Sequence, residues 1–103
     1  MNGIERIAAE RQRQLEVEGW TSEHDDVQVD GELSGAASSY ARAASRLAGV
    51  MEDWEVEEVL ARPSQEWRWS HDWWKPSVDP IRNLEKAGAL IAAEIDRLIR
   101  ARS

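Results

Sequence analysis

The sequence predicts a small all-α protein, a bundle of three to four helices joined by long ordered loops. Apolar residues recur at three- and four-residue spacing over most of the chain, and no alternating, strand-like run exceeds four residues. The 103 residues fit one helical domain, 1–103, with a modest single core. Gly19, Gly49 and Pro63 each follow a periodic segment, where such residues commonly end helices.

The N-terminal half contains two predicted helices separated by a loop. The first helix spans residues 4–17. Its expected inward residues are Ile4, Ile7, Ala8 and Leu15. Residues 20–29 have no helical period and predict an ordered loop. Asp30 is then expected to cap a second helix that continues to Gly49.

The second helix has a clear apolar stripe, which is mostly alanine. The stripe consists of Leu33, Ala36, Ala37, Tyr40, Ala41, Ala44, Leu47 and Ala48. Small side chains allow a neighbouring helix to approach closely, either within the fold or across a dimer. We expect a homo-oligomer that forms through this helix.

Two further helices are predicted in the C-terminal half. Residues 50–60 predict a shorter third helix with an acidic outer face, closed by Pro63. Asp79 followed by Pro80 is a helix-start signal, and the last helix is expected to continue to Arg100. Its expected inward residues are Ile81, Leu84, Gly88, Ile91, Ile95 and Leu98.

Composition excludes several classes of protein. The chain has 20 acidic and 13 basic residues and a formal net charge of −7, which argues against binding duplex nucleic acid. It has no cysteine, so a disulfide framework and a thiolate metal site are excluded. No apolar run is long enough to span a membrane, and the N-terminus lacks a signal-peptide core. We therefore expect a cytoplasmic protein with no membrane partner.

An aromatic segment, residues 66–76, is the clearest candidate for function. It holds four of the six tryptophans, while the whole chain has one tyrosine and no phenylalanine. Indole rings beside fixed cations can stack on a planar ring while holding an anion. We expect Trp73 and Trp74 to stack on a nucleotide base, and Arg68 and Lys75 to meet phosphate. The alternative role of the indoles is to close one end of the bundle.

A second candidate anion site lies at the start of the last helix. Arg82 and Lys86 are one helical turn apart, close to a helix N-terminus that favours negative charge. We assign both residues to ligand binding, with a solvated helix face as the alternative.

A third candidate cluster is Trp20 with residues 23–26, which are Glu23, His24, Asp25 and Asp26. Three carboxylates and an imidazole could hold a divalent cation, or form an acidic loop with a capped turn. We expect Trp20 to stack on the base, and His24, Asp25 and Asp26 to contact ribose hydroxyls or the base edge. This requires the two loops to lie at the same end of the bundle.

The sequence also resembles a widespread family of small phage and prophage proteins. The matching motifs lie at 10–14 (ERxRQ), 18–26 (EGWTxEHDD), 31–33 (GEL), 36–37 (AA), 40–41 (YA), 73–76 (WWKP) and 82–98 (RNLxKAGALIxAEIxRL). The resemblance extends over most of the chain except about residues 42–66. The resemblance implies an accessory protein of the infected bacterial cytoplasm. Such proteins often counter host defence, and one route is to sequester the nucleotide signals of systems such as CBASS or Thoeris.

These observations predict a phage anti-defence protein that binds a nucleotide-derived immune signal without cleaving it. We assign no catalytic residue, metal ligand or cofactor. One alternative is a metal-dependent nucleotide hydrolase, of the all-α pyrophosphohydrolase class, that uses Glu23, Asp25 and Asp26. Its family pattern of paired glutamates on facing helices is not reproduced here. The other alternative is an inhibitor that binds a host defence protein through exposed tryptophans.

Overall fold

The computed structural model describes residues 1–49 and 52–103, and within these ranges it contains five α-helices and a short 3-10 turn. The elements are α1 (Gly3–Glu16), α2 (Ser22–Asp26), α3 (Glu32–Leu47), α4 (Asp53–Ala61), the 3-10 turn (His71–Trp73) and α5 (Pro80–Ala101). Since these ranges contain no strand, the predicted all-α class is confirmed. None of the helices described is long and apolar enough to cross a membrane.

Two predictions about the segment between α1 and α3 are wrong. Residues 22–26 form a helix rather than a loop, because the Thr21 hydroxyl caps the turn by accepting a hydrogen bond from the His24 amide. The residue that caps α3 is Gly31 rather than Asp30, and its φ of +82° lies in the left-handed region that favours glycine.

The two C-terminal helices begin with side-chain caps. At the start of α4 the Glu55 carboxylate accepts a hydrogen bond of 2.8 Å from the Glu52 amide. Val50 and Met51, with which the third helix was predicted to begin, lie outside the described residues. At α5 the predicted cap is confirmed, because the Asp79 carboxylate accepts a hydrogen bond of 2.9 Å from the Ile81 amide.

The core is the contact between α3 and α5, which run antiparallel. Ser34 hydrogen-bonds to Glu94 near one end of the pair, and Tyr40 lies beside Lys86 nearer the other. The buried residues of α3 are Leu33, Gly35, Ala36, Ala37, Ser39, Tyr40, Ala43 and Ala44. The alanine stripe therefore packs within the fold, and is not available to a second chain as the predicted interface.

The predicted inner face of the last helix is wrong. Ile81, Leu84, Ile91 and Ile95 are about half exposed. The buried face of α5 consists instead of Asn83, Ala87, Ala89, Leu90, Ala93, Glu94 and Arg97. Small residues permit close packing here, and the polar ones have partners: Asn83 exchanges two hydrogen bonds with the Ser77 backbone, and Glu94 pairs with Arg97.

The inner face of α1 is more polar than predicted, although Ile7 and Leu15 are partly buried. Ile4 is 81% exposed and Ala8 is exposed, whereas Glu10 and Gln14 are buried. The Glu10 carboxylate accepts hydrogen bonds from Arg13 and Gln14, and Arg82 of α5 lies 2.8 Å from it. Burial would raise the pKa of Glu10, but the hydrogen bonds from Arg13 and Arg82 outweigh it and lower the pKa below 4.5.

A close backbone approach at Gly35 fixes where the aromatic segment crosses α3. A methyl group at Gly35 would overlap the carbonyl oxygen of Glu66. One turn further along α3, the Ser39 and Ser64 hydroxyls are 2.7 Å apart and hydrogen-bonded. Residues 64–66 therefore lie directly on the α3 surface, which positions the tryptophans that follow.

We predict that Gly35→Ala destabilises the protein by about 1–3 kcal/mol, because the added methyl group meets backbone that cannot move aside. In most helices the same substitution is stabilising. Gly3→Ala is the matched control, since a methyl group at Gly3 would contact nothing within 4 Å. Urea denaturation of the three proteins gives the free energies. A Gly35→Ala protein as stable as the control would contradict the close approach.

We also predict that Glu10 contributes to acid sensitivity. Its pKa is lower in the folded protein than in the unfolded chain, so it stabilises the fold above pH 4.5 and loses this contribution as the pH falls below that value. Glu10→Gln should cost about 1–3 kcal/mol at neutral pH and flatten the dependence of stability on pH in the acid range. The exposed Glu57→Gln is the control. Parallel pH curves for wild type and Glu10→Gln would count against this role.

Candidate ligand-binding site

Two of the four clustered tryptophans belong to the core. Trp67 and Trp74 are each 7% exposed and pack on Tyr40, with ring centroids 5.8 and 4.7 Å from the tyrosine ring. Their indole N–H groups donate to the carbonyl oxygens of Ser70 and Leu60. Trp74, predicted to stack on a base, is therefore placed inside the fold, with its N–H already hydrogen-bonded.

The other two tryptophans of the segment lie at the surface beside α2. Trp69 is partly buried, and its N–H donates to the Gln28 side chain at 3.0 Å. Its ring centroid is 6.2 Å from that of Trp20, which stacks in parallel on His24 at 5.7 Å. Trp73 is 63% exposed.

These side chains surround an open pocket of about 460 Å³. Its lining residues are Glu18, Trp20, His24, Gln28, Tyr40, Trp67, Trp69, Ser70 and Trp73. The structure thus brings together the two loops that the sequence analysis treated as one hypothetical site. The volume lies within the ~300–1,000 Å³ range of small-molecule pockets, and a mostly aromatic wall with a few polar groups is typical of them.

The cations that were predicted to meet phosphate lie outside this pocket. Arg82 is paired with Glu10 and Glu85, at 2.8 and 3.2 Å. Arg68 and Lys75 are exposed, and neither lines the pocket. Lys86 does not line the pocket either, although its ammonium nitrogen lies 5.4 Å from the centre of the Tyr40 ring. Burial lowers the pKa of Lys86.

The charged residue that does line the pocket is acidic. Glu18 lies on its wall and is held by Arg13, 2.9 Å from its carboxylate. Together with the Gln28 amide and the Ser70 hydroxyl, it supplies the polar contacts of an otherwise aromatic surface. Such a wall suits a flat ring whose edge carries hydrogen-bond donors.

The three side chains of residues 24–26 point to different partners. Asp25 is fully buried and contacts Arg11 and His24, each at 3.0 Å. Asp26 pairs with Arg100 at 2.7 Å on the surface. Only His24 lines the pocket. Over residues 1–49 and 52–103 the structure contains no group of three His, Asp or Glu side chains that could hold a metal ion.

Asp25 consequently has a positioning role. Its carboxylate holds Arg11 of α1 on one side and the His24 ring on the other, and the same arginine also reaches the Trp20 carbonyl oxygen at 3.4 Å. This ion pair fixes α2 against α1 and orients the stacked Trp20 and His24 rings that form one wall of the pocket. The run of three carboxylates and an imidazole at residues 23–26 does not reveal which side chain is buried. The sequence alone therefore cannot distinguish a buried ion pair from a ligand-binding cluster.

A second pocket, of about 290 Å³, was not predicted from the sequence. It is lined by Ser39, Arg42, Ala43, Arg46, Glu58, Val59, Arg62, Pro63, Ser64 and Trp74. Arg42 and Arg46 are one turn apart on α3, but Arg62 reaches them only through the packing of α4, which no local pattern reveals. The two pockets have no lining residue in common.

Comparison with protein-family models, with curated proteins and with solved structures found no match to this chain.

We predict that Asp25→Asn lowers the free energy of unfolding by about 3 kcal/mol, since it leaves the largely buried Arg11 guanidinium without a counter-charge. Asp26→Asn, at the next residue, is the control: its pair with Arg100 is exposed, so the loss should stay below about 1 kcal/mol. Denaturant unfolding at low and high salt measures both. Equal losses in the two variants would exclude the anchoring role of Asp25.

Proposed function

We propose that the protein binds a nucleotide-derived small molecule in the aromatic pocket and releases it unchanged. The observation that carries the proposal is the convergence of Trp20 and His24 with Trp69 and Trp73 around one open cavity. Base–aromatic stacking contributes about 1–3 kcal/mol per base and is available to any flat heterocycle. Trp73 supports this role because a 63% exposed indole contributes little to the core.

The polar wall defines which part of the ligand enters. The carboxylate of Glu18 accepts hydrogen bonds, and the Ser70 hydroxyl can donate one. The Gln28 amide is held in place by its hydrogen bonds with Trp69 and the His24 carbonyl oxygen. A base edge with amino or imino N–H groups matches this set. Because the pocket wall described here has no arginine or lysine, the phosphoryl groups remain at the open side of the cavity under this proposal.

The contacts of the acidic residues favour binding over hydrolysis. The alternative of a metal-dependent hydrolase needs Asp25 and Asp26 to act together with Glu23. Their carboxylates instead contact different cations, Arg11 for Asp25 and Arg100 for Asp26, and Asp25 is inaccessible. Metal-dependent hydrolysis is thus the less favoured alternative, and the experiment below is designed to exclude it.

The biological setting of the proposal comes from the resemblance to small phage and prophage proteins. A protein that binds an immune nucleotide stoichiometrically, in the cytoplasm of an infected bacterium, would lower the free concentration of that signal. Signals of the CBASS and Thoeris type, which are cyclic oligonucleotides and ADP-ribose derivatives, contain the flat base that the pocket suits. Sequestration of such a signal is the role that we propose.

The test is a panel of cyclic oligonucleotides and ADP-ribose derivatives, each added to the protein in EDTA. A ligand should raise the melting temperature and be recovered intact by chromatography after heat denaturation. A cleaved product that appears only with magnesium or manganese would support the hydrolase instead. If no nucleotide changes the melting temperature while a host protein co-purifies stoichiometrically, the inhibitor hypothesis replaces the proposal.

We predict that Trp73→Ala weakens binding of the panel ligand at least tenfold, because it removes one stacking face, while the fold remains stable. Trp54→Ala is the matched control: Trp54 is 64% exposed on α4 and does not line the pocket. Isothermal titration calorimetry measures both affinities without relying on tryptophan fluorescence. The aromatic pocket would be the wrong site if the two variants bound equally well.

A further inference from the structure

The outer face of α5 carries exposed aliphatic side chains on both sides of Gly88. Ile81, Leu84, Ile91, Ile95 and Ile99 are each 50–59% exposed. They recur at helical spacing and form one stripe along the 22-residue helix. Gly88 lies within the stripe, and Ile7 of α1 covers it. We call this surface the α5 stripe.

Over residues 1–49 and 52–103, the helices that pack on α5 leave the α5 stripe about half exposed. The opposite face of α5 contacts α3, and α1 packs beside the stripe, where Ile7 lies over Gly88. The five side chains leave an apolar strip on the order of 500 Å², which is at the upper end of what monomers expose and marks an interaction surface. Ile4, one turn from Ile7 and 81% exposed, adds apolar surface on α1.

We propose that the α5 stripe is the interface of a homodimer, in which the α5 helices of two copies pack antiparallel. The stripe is straight, regular and flanked by polar residues, so a two-fold axis near its centre makes it complementary to itself. With the polar rim around it, the buried area approaches the ~800 Å² that each partner contributes to a standard interface.

Charge selects the antiparallel arrangement. Asp79 lies at the N-terminal end of the stripe and Arg102 lies just beyond its C-terminal end, and both are exposed. Antiparallel packing places Asp79 of each copy near Arg102 of the other, and it also opposes the two helix dipoles favourably. Parallel packing would bring like charges together at both ends.

The net charge argues for a second copy over a lipid surface. Helices that lie on membranes usually carry lysine and arginine on the polar face, which attracts anionic lipid. This chain has a net charge of −7, and Glu85 and Asp96 flank the stripe. An identical copy has the same net charge, but it also brings Arg102 to Asp79 at each end of the stripe, which an anionic lipid surface does not. The inference is independent of the proposed ligand.

The first experiment measures mass by sedimentation velocity. Wild type should sediment as a dimer, at twice the 11.7 kDa of the chain. Ile91→Glu should be a monomer that retains its helical circular dichroism, because a charge in the middle of the stripe would be buried unpaired. Val17→Glu, at a 70% exposed valine away from α5, is the control and should remain a dimer. A monomeric wild-type protein overturns the proposal. So does a wild-type protein that forms a complex only with lipid vesicles or with a different protein.

The second experiment uses the absence of cysteine from the chain, and it does not depend on a variant that disrupts the interface. With a short bis-maleimide reagent, two copies of the Ile91→Cys variant should cross-link, because residue 91 lies near the proposed two-fold axis. Ile81→Cys alone should not, since the two cysteines would be about 27 Å apart along the paired helices. A mixture of Ile81→Cys and Ile99→Cys should cross-link. Cross-linking of Ile81→Cys to itself would exclude the antiparallel arrangement, and a dimer in which no pair cross-links would place the interface elsewhere.

Discussion

The contact between the Gly35 backbone and the Glu66 carbonyl is the constraint on which the candidate site depends. Any side chain at residue 35 would push the backbone around Glu66 away from α3. Because the segment lies flat, Trp67 and Trp74 reach Tyr40 and fill the end of a core that otherwise consists largely of alanine. Trp69 and Trp73 then face the surface that α2 completes. One glycine therefore allows the same segment to supply both core and pocket.

Polar contacts hold much of the fold together, because the buried faces of α3 and α5 consist mainly of small side chains. Alanine-rich surfaces bury little apolar area per residue, so they contribute less hydrophobic stabilisation than a leucine core would. Glu10 joins α1 to α5, and Asp25 joins α2 to α1, each through buried carboxylates held by arginine. Such pairs give strongly directional contacts, and their loss leaves a buried charge. The wall of the pocket that Trp20 and His24 form therefore depends on the ion pair between Arg11 and Asp25.

Local patterns in the sequence predicted the all-α class, the proline-started α5 and the inward stripe of α3. They failed where the pattern alone cannot tell which face is buried. In α5 both faces have helical periodicity, and periodicity alone predicts that the aliphatic face is the inner one. Asn83 and Arg97 are buried instead, because Ser77 and Glu94 satisfy their polar groups. The Ser77 partner of Asn83 depends on how the preceding loop crosses the helix, whereas Glu94 and Arg97 pair within α5 itself. The division of the tryptophans between core and pocket likewise depends on tertiary contacts.

In α5 the aliphatic face is exposed and several polar residues are buried, which links the stability of the fold to the proposed dimer. In a lone chain, the apolar face of this helix stays in water, and its buried face contributes mainly small and polar groups. Under the proposed dimer, the aliphatic face would be buried only when two chains meet, so the stability of the fold would rise with protein concentration. The same helix supplies Lys86, which lies against the Tyr40 ring on the pocket wall. Because Lys86 does not itself line the pocket, dimerisation would affect the pocket only indirectly, through this contact with Tyr40.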